Sequence, residues 1–85
     1  MFPEIITILV GKRKESALKV QEVLTDFGCI IVTRIGLHET IGACSDCGLI
    51  ILQIKGDKKE ADSMLKKLNK IKQVNAKRLE LSFDD

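Results

Sequence analysis

Short apolar stretches and longer amphipathic stretches alternate along the chain. The first apolar stretch, Glu4–Gly11, is rich in β-branched residues and too short for a typical helix, so it predicts a strand that is apolar on both faces. Three later stretches predict further strands at Cys29–His38, Gly48–Lys55 and Val74–Phe83. In the last of these the apolar positions change parity between Ala76 and Leu79, which indicates either a bulge or a strand with one poorly covered end.

Two segments between these strands carry apolar residues at helical spacing. From Lys12 onward the apolar positions of the first segment are Ala17, Val20, Val23, Leu24 and Phe27. Gly28 follows this segment and is expected to end the helix in a left-handed conformation. The second segment opens with Asp57 and, three residues later, Glu60, which is a capping-box pattern. Its apolar positions are Ala61, Met64, Leu65, Leu68 and Ile71.

The resulting order, β-α-β-β-α-β, predicts a single α+β domain over residues 1–85. Two amphipathic helices then cover one face of a four-stranded antiparallel sheet, as in the ferredoxin-like sandwich. Right-handed connections place strands one and three in the centre, and these are the two most continuously apolar strands. Strands two and four carry charged residues and are expected at the edges: Arg34, Lys77, Arg78 and Glu80.

The first strand has apolar side chains on both of its faces. Ile6, Ile8 and Val10 alternate with Ile5 and Leu9, so one apolar face stays uncovered whichever face the helices take. Soluble monomers rarely expose a patch of that size. A homodimer or higher homo-oligomer, formed through sheet faces or edges, is therefore expected.

The composition is that of a folded domain, with 85 residues of which 45% are hydrophobic and 31% charged. A net charge of +2 gives little attraction for polyanions, so neither a direct nucleic-acid partner nor a membrane partner is expected. The apolar runs are strand-sized, and the N-terminus lacks the basic region and cleavage site of a signal peptide. Three cysteines form no disulfide framework, so a cytoplasmic location is expected.

The long connection between strands two and three contains the candidate metal ligands His38, Cys44 and Cys47. Thiolates and imidazole suit zinc, iron or copper(I), but a closed zinc site needs four ligands, so a fourth would have to come from a carboxylate or a second chain. The alternative is an ordinary loop, and it is favoured because strong zinc patterns have two cysteine pairs. At about nine residues the loop exceeds a normal hairpin connection, which favours a role in ligand binding or assembly.

Two sulfur-based functions are excluded by position. Cys47 runs into a strand, so the helix N-terminus that activates thioredoxin-like thiols is missing; a regulatory disulfide stays an alternative that ranks below metal binding. A copper chaperone of this fold would carry its cysteines between strand one and helix one, where this chain has "GKRKES". The basic residues at Gly11–Lys14 could bind an anion or form a solvated turn, and Cys29 is expected in the core. The sequence contains no recognisable catalytic constellation, so enzymatic activity is not expected.

Three segments together resemble a known family: "RIGLHET", "GLIILQIKGD" and "MLKKLNKIKQVNAKRLEL". They are similar to the small ACT-like proteins of the iron-only hydrogenase system regulator family, which in turn resemble the ligand-binding domain of the nickel-responsive regulator. The resemblance implies an ACT-like form of the ferredoxin-like fold and a regulatory role. The chain departs from the family at Gln73, where a glycine is frequent. It also lacks a glycine-containing turn after strand one like that of ACT domains that bind amino acids, since Gly11 lies at the strand end.

The sequence thus predicts a regulatory or small-ligand-sensing module, and the family resemblance implies a link to hydrogenase or redox metabolism. Its predicted ligand site lies at the end of strand two and in the following loop, at Arg34, Gly36, His38 and Gly42. A metal-binding protein with zinc, iron or nickel at the loop is one alternative, and a structural oligomer or interaction module is another. A small-molecule effector is the expected partner besides a second copy, and no cofactor is expected.

Overall fold

The computed structural model describes residues 4–11, 14–37, 48–56 and 58–83. Strand β1 is Glu4–Val10, helix α1 is Lys14–Asp26, and a short 3-10 turn covers Gly28–Ile30. Strands β2 and β3 are Ile31–Leu37 and Gly48–Ile54. Helix α2 is Lys58–Asn69, and strand β4 is Val74–Glu80. The predicted order of elements is confirmed, although the helix-capping role of Asp57 lies outside the described residues.

The four strands form one antiparallel sheet in the order β2-β3-β1-β4. β1 and β3 are central, and β2 and β4 are the edges, as their composition predicts. Ile8 of β1 lies opposite Ile50 of β3 and Ala76 of β4, so these three strands contribute to a shared layer of apolar side chains. The α+β ferredoxin-like sandwich is therefore confirmed.

One face of the sheet packs against both helices and forms the core. The fully buried side chains come from alternate positions of the central strands and from one stripe on each helix: Ile6, Ile8, Val20, Leu24, Leu52, Met64 and Leu68. Ala17, predicted in the stripe of α1, is exposed, and its neighbour Ser16 is buried instead. Ser16 tolerates burial because its hydroxyl donates a hydrogen bond to the Lys72 carbonyl, 2.7 Å away.

The segment after α1 corrects three sequence predictions. Gly28 begins a 3-10 turn, and Gly56 is the one described glycine with a positive φ, so the left-handed ending predicted at Gly28 is wrong. The turn delays β2 until Ile31. Cys29 lies within the turn and is exposed, so its predicted place in the core is wrong. Ile30, the next residue of the turn, is buried in its stead.

The opposite face of the sheet, which we call the open face, has no helix against it among the described residues. It presents alternate residues of all four strands, and the larger apolar ones are Ile5, Leu9, Ile35, Leu37, Leu49, Ile51 and Leu79. The register of β4 against β1 is continuous from Val74 to Glu80, so the parity change marks a poorly covered end and not a bulge. Beyond it, Phe83 is 94% exposed.

Both edges of the sheet are modified in ways that hinder further strand pairing. On β4 the amide side chain of Asn69 receives a hydrogen bond from the Ala76 N–H (2.8 Å) and donates one to the Ala76 carbonyl (3.0 Å). On β2 the register against β3 shifts between Ile31 and Thr33. Occupied backbone groups and irregular register are both devices that protect an edge.

Candidate functional site

A mostly apolar cleft of about 310 Å³ lies between α1 and the ends of three strands. Its lining includes Val10, Ala17, Val20, Gly36, Gly48 and Ile50. The volume is at the lower end of the range for small-molecule sites. The cleft therefore has the size and the apolar surface that a small ligand needs.

Two glycines, one on β2 and one on β3, leave this space unfilled because glycine has no side chain. Gly36 lies opposite Ile50, and Gly48 lies opposite Val10, so both glycines belong to the helix-facing side of the sheet. A Cβ atom added at Gly36 or Gly48 would meet no atom within 4 Å. Neither glycine has a positive φ, so backbone strain does not demand glycine at either position. The two glycines of the sheet and the small side chain of Ala17 on α1 together leave the volume of the cleft unfilled.

Polar groups lie at one side of the cleft. Gln21 of α1 lines it, and its side-chain oxygen accepts a hydrogen bond from the Arg34 guanidinium. Arg34 is two residues from Gly36 on the helix-facing side of β2. None of the ion pairs among the described residues involves Arg34.

A family model matches residues 4–78, most of the chain. It describes the TM1266-like family, to which the role of iron-only hydrogenase system regulator is attributed. The chain belongs to this family. The resemblance found in the sequence is thereby confirmed. Among curated proteins, none matches the sequence significantly.

Two solved structures are similar to this member of the TM1266-like family. TM1266 from Thermotoga maritima is 28% identical, with a TM-score of 0.82 over 94% of this chain and 96% of that one. The ACT domain from GTP pyrophosphokinase of Chlorobium tepidum is 18% identical, with a TM-score of 0.69 over 92% of this chain and 97% of that one. At that identity the second likeness concerns the fold alone, which it identifies as ACT-like.

Of the four predicted ligand-binding residues, Gly36 lines the cleft. Arg34 does not line it, but its guanidinium donates a hydrogen bond to Gln21, which does. His38 and Gly42, together with the predicted metal ligands Cys44 and Cys47, lie outside the described residues. Within the described residues no cluster of three potential metal ligands occurs. The metal site remains a prediction from the sequence.

Ala17, Gln21 and Gly48 contribute to the cleft without having been predicted there. Ala17 had the spacing of a core residue, and Gln21 had that of a solvated helix face. Gly48 begins a strand, which is an unremarkable place for glycine. A cleft that results from small residues has no sequence motif. The one feature of the sequence that could have indicated it is the presence of glycine near both ends of the long connection, at Gly36 and Gly48.

Proposed function

We propose that this member of the TM1266-like family is a non-enzymatic regulatory module that senses a small ligand in the cleft beneath α1. The observation that carries the proposal is an apolar cleft of about 310 Å³, one of whose lining residues, Gln21, accepts a hydrogen bond from the Arg34 guanidinium. Such a site suits a small, largely apolar molecule with one anionic group, which Arg34 would bind. The family description and the ACT-like fold support a regulatory role.

Ligand binding has a direct route to the rest of the molecule. Leu37, the last residue of β2, and Gly48, the first of β3, both line the cleft. A bound ligand would therefore change the packing at both ends of the connection over residues 38–47. We propose that this connection transmits the signal to a partner in the cytoplasm, within hydrogenase or redox metabolism.

The open face supports assembly as the second part of the proposal. Four strands about 4.8 Å apart and seven residues long offer roughly 400 Å² per protomer, about half of a standard interface. Leu81 and Phe83, just beyond β4, are further exposed apolar side chains. Because both edges are modified, a second copy is expected on the face and not on an edge.

No helix of the described residues is long and apolar enough to span a membrane.

Filling the cleft tests the ligand-sensing role. Gly36→Leu places a side chain in the cleft without a clash at Cβ, and Gly28→Leu is the matched control, because Gly28 is also free of neighbours within 4 Å. Small molecules are screened by thermal unfolding; a ligand at 100 times its Kd stabilises the native state by about 2.7 kcal/mol. We expect ligands that raise the Tm of the wild type and of Gly28→Leu, and not of Gly36→Leu. The same shift in all three proteins would exclude the cleft as the site.

A further inference from the structure

A second, basic cleft of about 450 Å³ lies on the other side of the first turns of α1. It is lined by Glu15, Ser16 and Lys19 of α1 and by Lys70, Ile71 and Lys72, which follow α2. It shares no lining residue with the apolar cleft. Three lysines here face a single carboxylate.

The backbone beneath these lysines is held in place at several points. The Ser16 hydroxyl, 3% exposed as a residue, binds the Lys72 carbonyl at 2.7 Å. The Ile71 N–H donates to the Leu68 carbonyl at 3.1 Å, and the Ile71 side chain packs against the core. Lys70 and Lys72 thus flank an anchored residue, which fixes the positions from which their side chains extend.

The charges of the basic cleft are not neutralised within the described residues. The ion pairs among the described residues lie at the β4 side of the molecule, and none includes a lysine of the basic cleft. They join two basic residues to three carboxylates: Lys58 and Arg78 to Glu4, Asp62 and Glu80. Arg78, 17% exposed, faces three carboxylates there. Like charges gathered in a concave surface repel one another unless an anion binds between them.

We propose that this basic cleft binds a small molecule that carries two or more phosphate groups. Ammonium groups act as point charges that suit phosphate oxygens, and a concave site favours a compact anion over a long strand. Among the described residues that line it, Ile71 is the one large apolar side chain, and none has an aromatic ring on which a nucleic-acid base could stack. The N-terminus of α1 is the positive end of the helix dipole and adds to the positive potential. The cleft thereby gives the module a second input, separate from the apolar cleft.

Titration with pyrophosphate, followed by two-dimensional NMR of the backbone amides, tests this site. We expect saturable shifts at Ser16, Lys19 and Lys70–Lys72. Lys70→Gln/Lys72→Gln should weaken binding by roughly a hundredfold, about tenfold for each charge-assisted contact. Lys55→Gln/Lys77→Gln removes the same charge at exposed positions outside the cleft and should change the affinity by less than about twofold.

Two further results separate this site from other possibilities. Equal weakening in both double variants, or shifts spread over all lysines without saturation, would overturn the proposal, because attraction to net charge explains them. Tighter binding of a single-stranded oligonucleotide with equal losses in both variants would also overturn it. Gly36→Leu should leave pyrophosphate binding unchanged, so this site and the ligand-sensing cleft can fail independently.

Discussion

The two faces of the sheet differ in what covers them, although the same strands supply both. In β1, Ile8 is completely buried beneath the helices, while its neighbour Leu9 on the open face is 52% exposed. Both positions carry aliphatic residues of similar size, so side-chain chemistry does not account for the contrast. Two helices are enough to cover one face of four strands and no more. The open face therefore combines aliphatic and polar side chains, and no element of the described chain covers it.

The largest expected effect tests the covered face. Ile8→Ala removes a fully buried side chain and should lower the free energy of unfolding by about 2–5 kcal/mol. Leu9→Ala, one residue away on the open face, should cost under about 1 kcal/mol in the monomer. Urea denaturation at low protein concentration measures both. Equal losses would mean that the open face is as well covered as the core, and the comparison would fail.

A smaller effect is expected at the edge where the two faces meet. Asn69→Ala removes both hydrogen bonds to Ala76 and should lower the free energy of unfolding by about 1–3 kcal/mol, because the backbone groups lose their partners. Asn69→Asp keeps an acceptor for the Ala76 N–H and loses the donor to its carbonyl, so its cost should be about half as large. The same denaturation measurement applies. A neutral Asn69→Ala variant would show that the β4 edge is not held by this side chain.

The fold follows from the sequence because its determinants are local. Helical spacing places Val20 and Leu24, and strand apolarity distinguishes the central β1 and β3 from the edges. Errors arose where tertiary packing decides between neighbours. Ser16 is buried instead of Ala17 because a carbonyl is available to its hydroxyl. Cys29 is exposed because a 3-10 turn postpones β2.

The cleft was accessible to sequence reasoning only in part. Arg34 and Gly36 were predicted because they form the Arg-x-Gly of strand two that carries part of the family resemblance. Ala17 and Gly48 could not be identified, because their contribution is the absence of side-chain volume at positions that meet only in the folded chain. Whether the candidate site extends into His38 and Gly42 lies outside the described residues.

Tight and loose packing can be compared at two glycines, Gly11 just after β1 and Gly36 in β2. A Cβ at Gly11 would lie 2.8 Å from Cβ of Gln73, whereas one at Gly36 would meet nothing within 4 Å. Gly11→Ala should therefore cost about 1–2 kcal/mol through overpacking, and Gly36→Ala should change the free energy of unfolding by less than about 0.5 kcal/mol. The Gly11→Ala cost should shrink in a Gln73→Gly background, which removes the contacting side chain and relieves a positive φ of 59°. An unchanged cost in that background would place the conflict elsewhere.

A lysine on the open face is expected to change the free energy of unfolding least and the oligomeric state most. Leu9→Lys puts a charge on the open face near the end of the central strand β1, where the side chain is half-exposed, so monomer stability should change by less than about 0.5 kcal/mol. A second copy seated on this face would have to bury that charge unpaired, so sedimentation velocity should show an oligomer for the wild type and a monomer for Leu9→Lys. Leu18→Lys, on the exposed side of α1, is the matched control and should assemble like the wild type. If wild type is already monomeric at micromolar concentration, or if both variants assemble, then the open face is tolerated in water and the contrast between the two faces has no role in assembly.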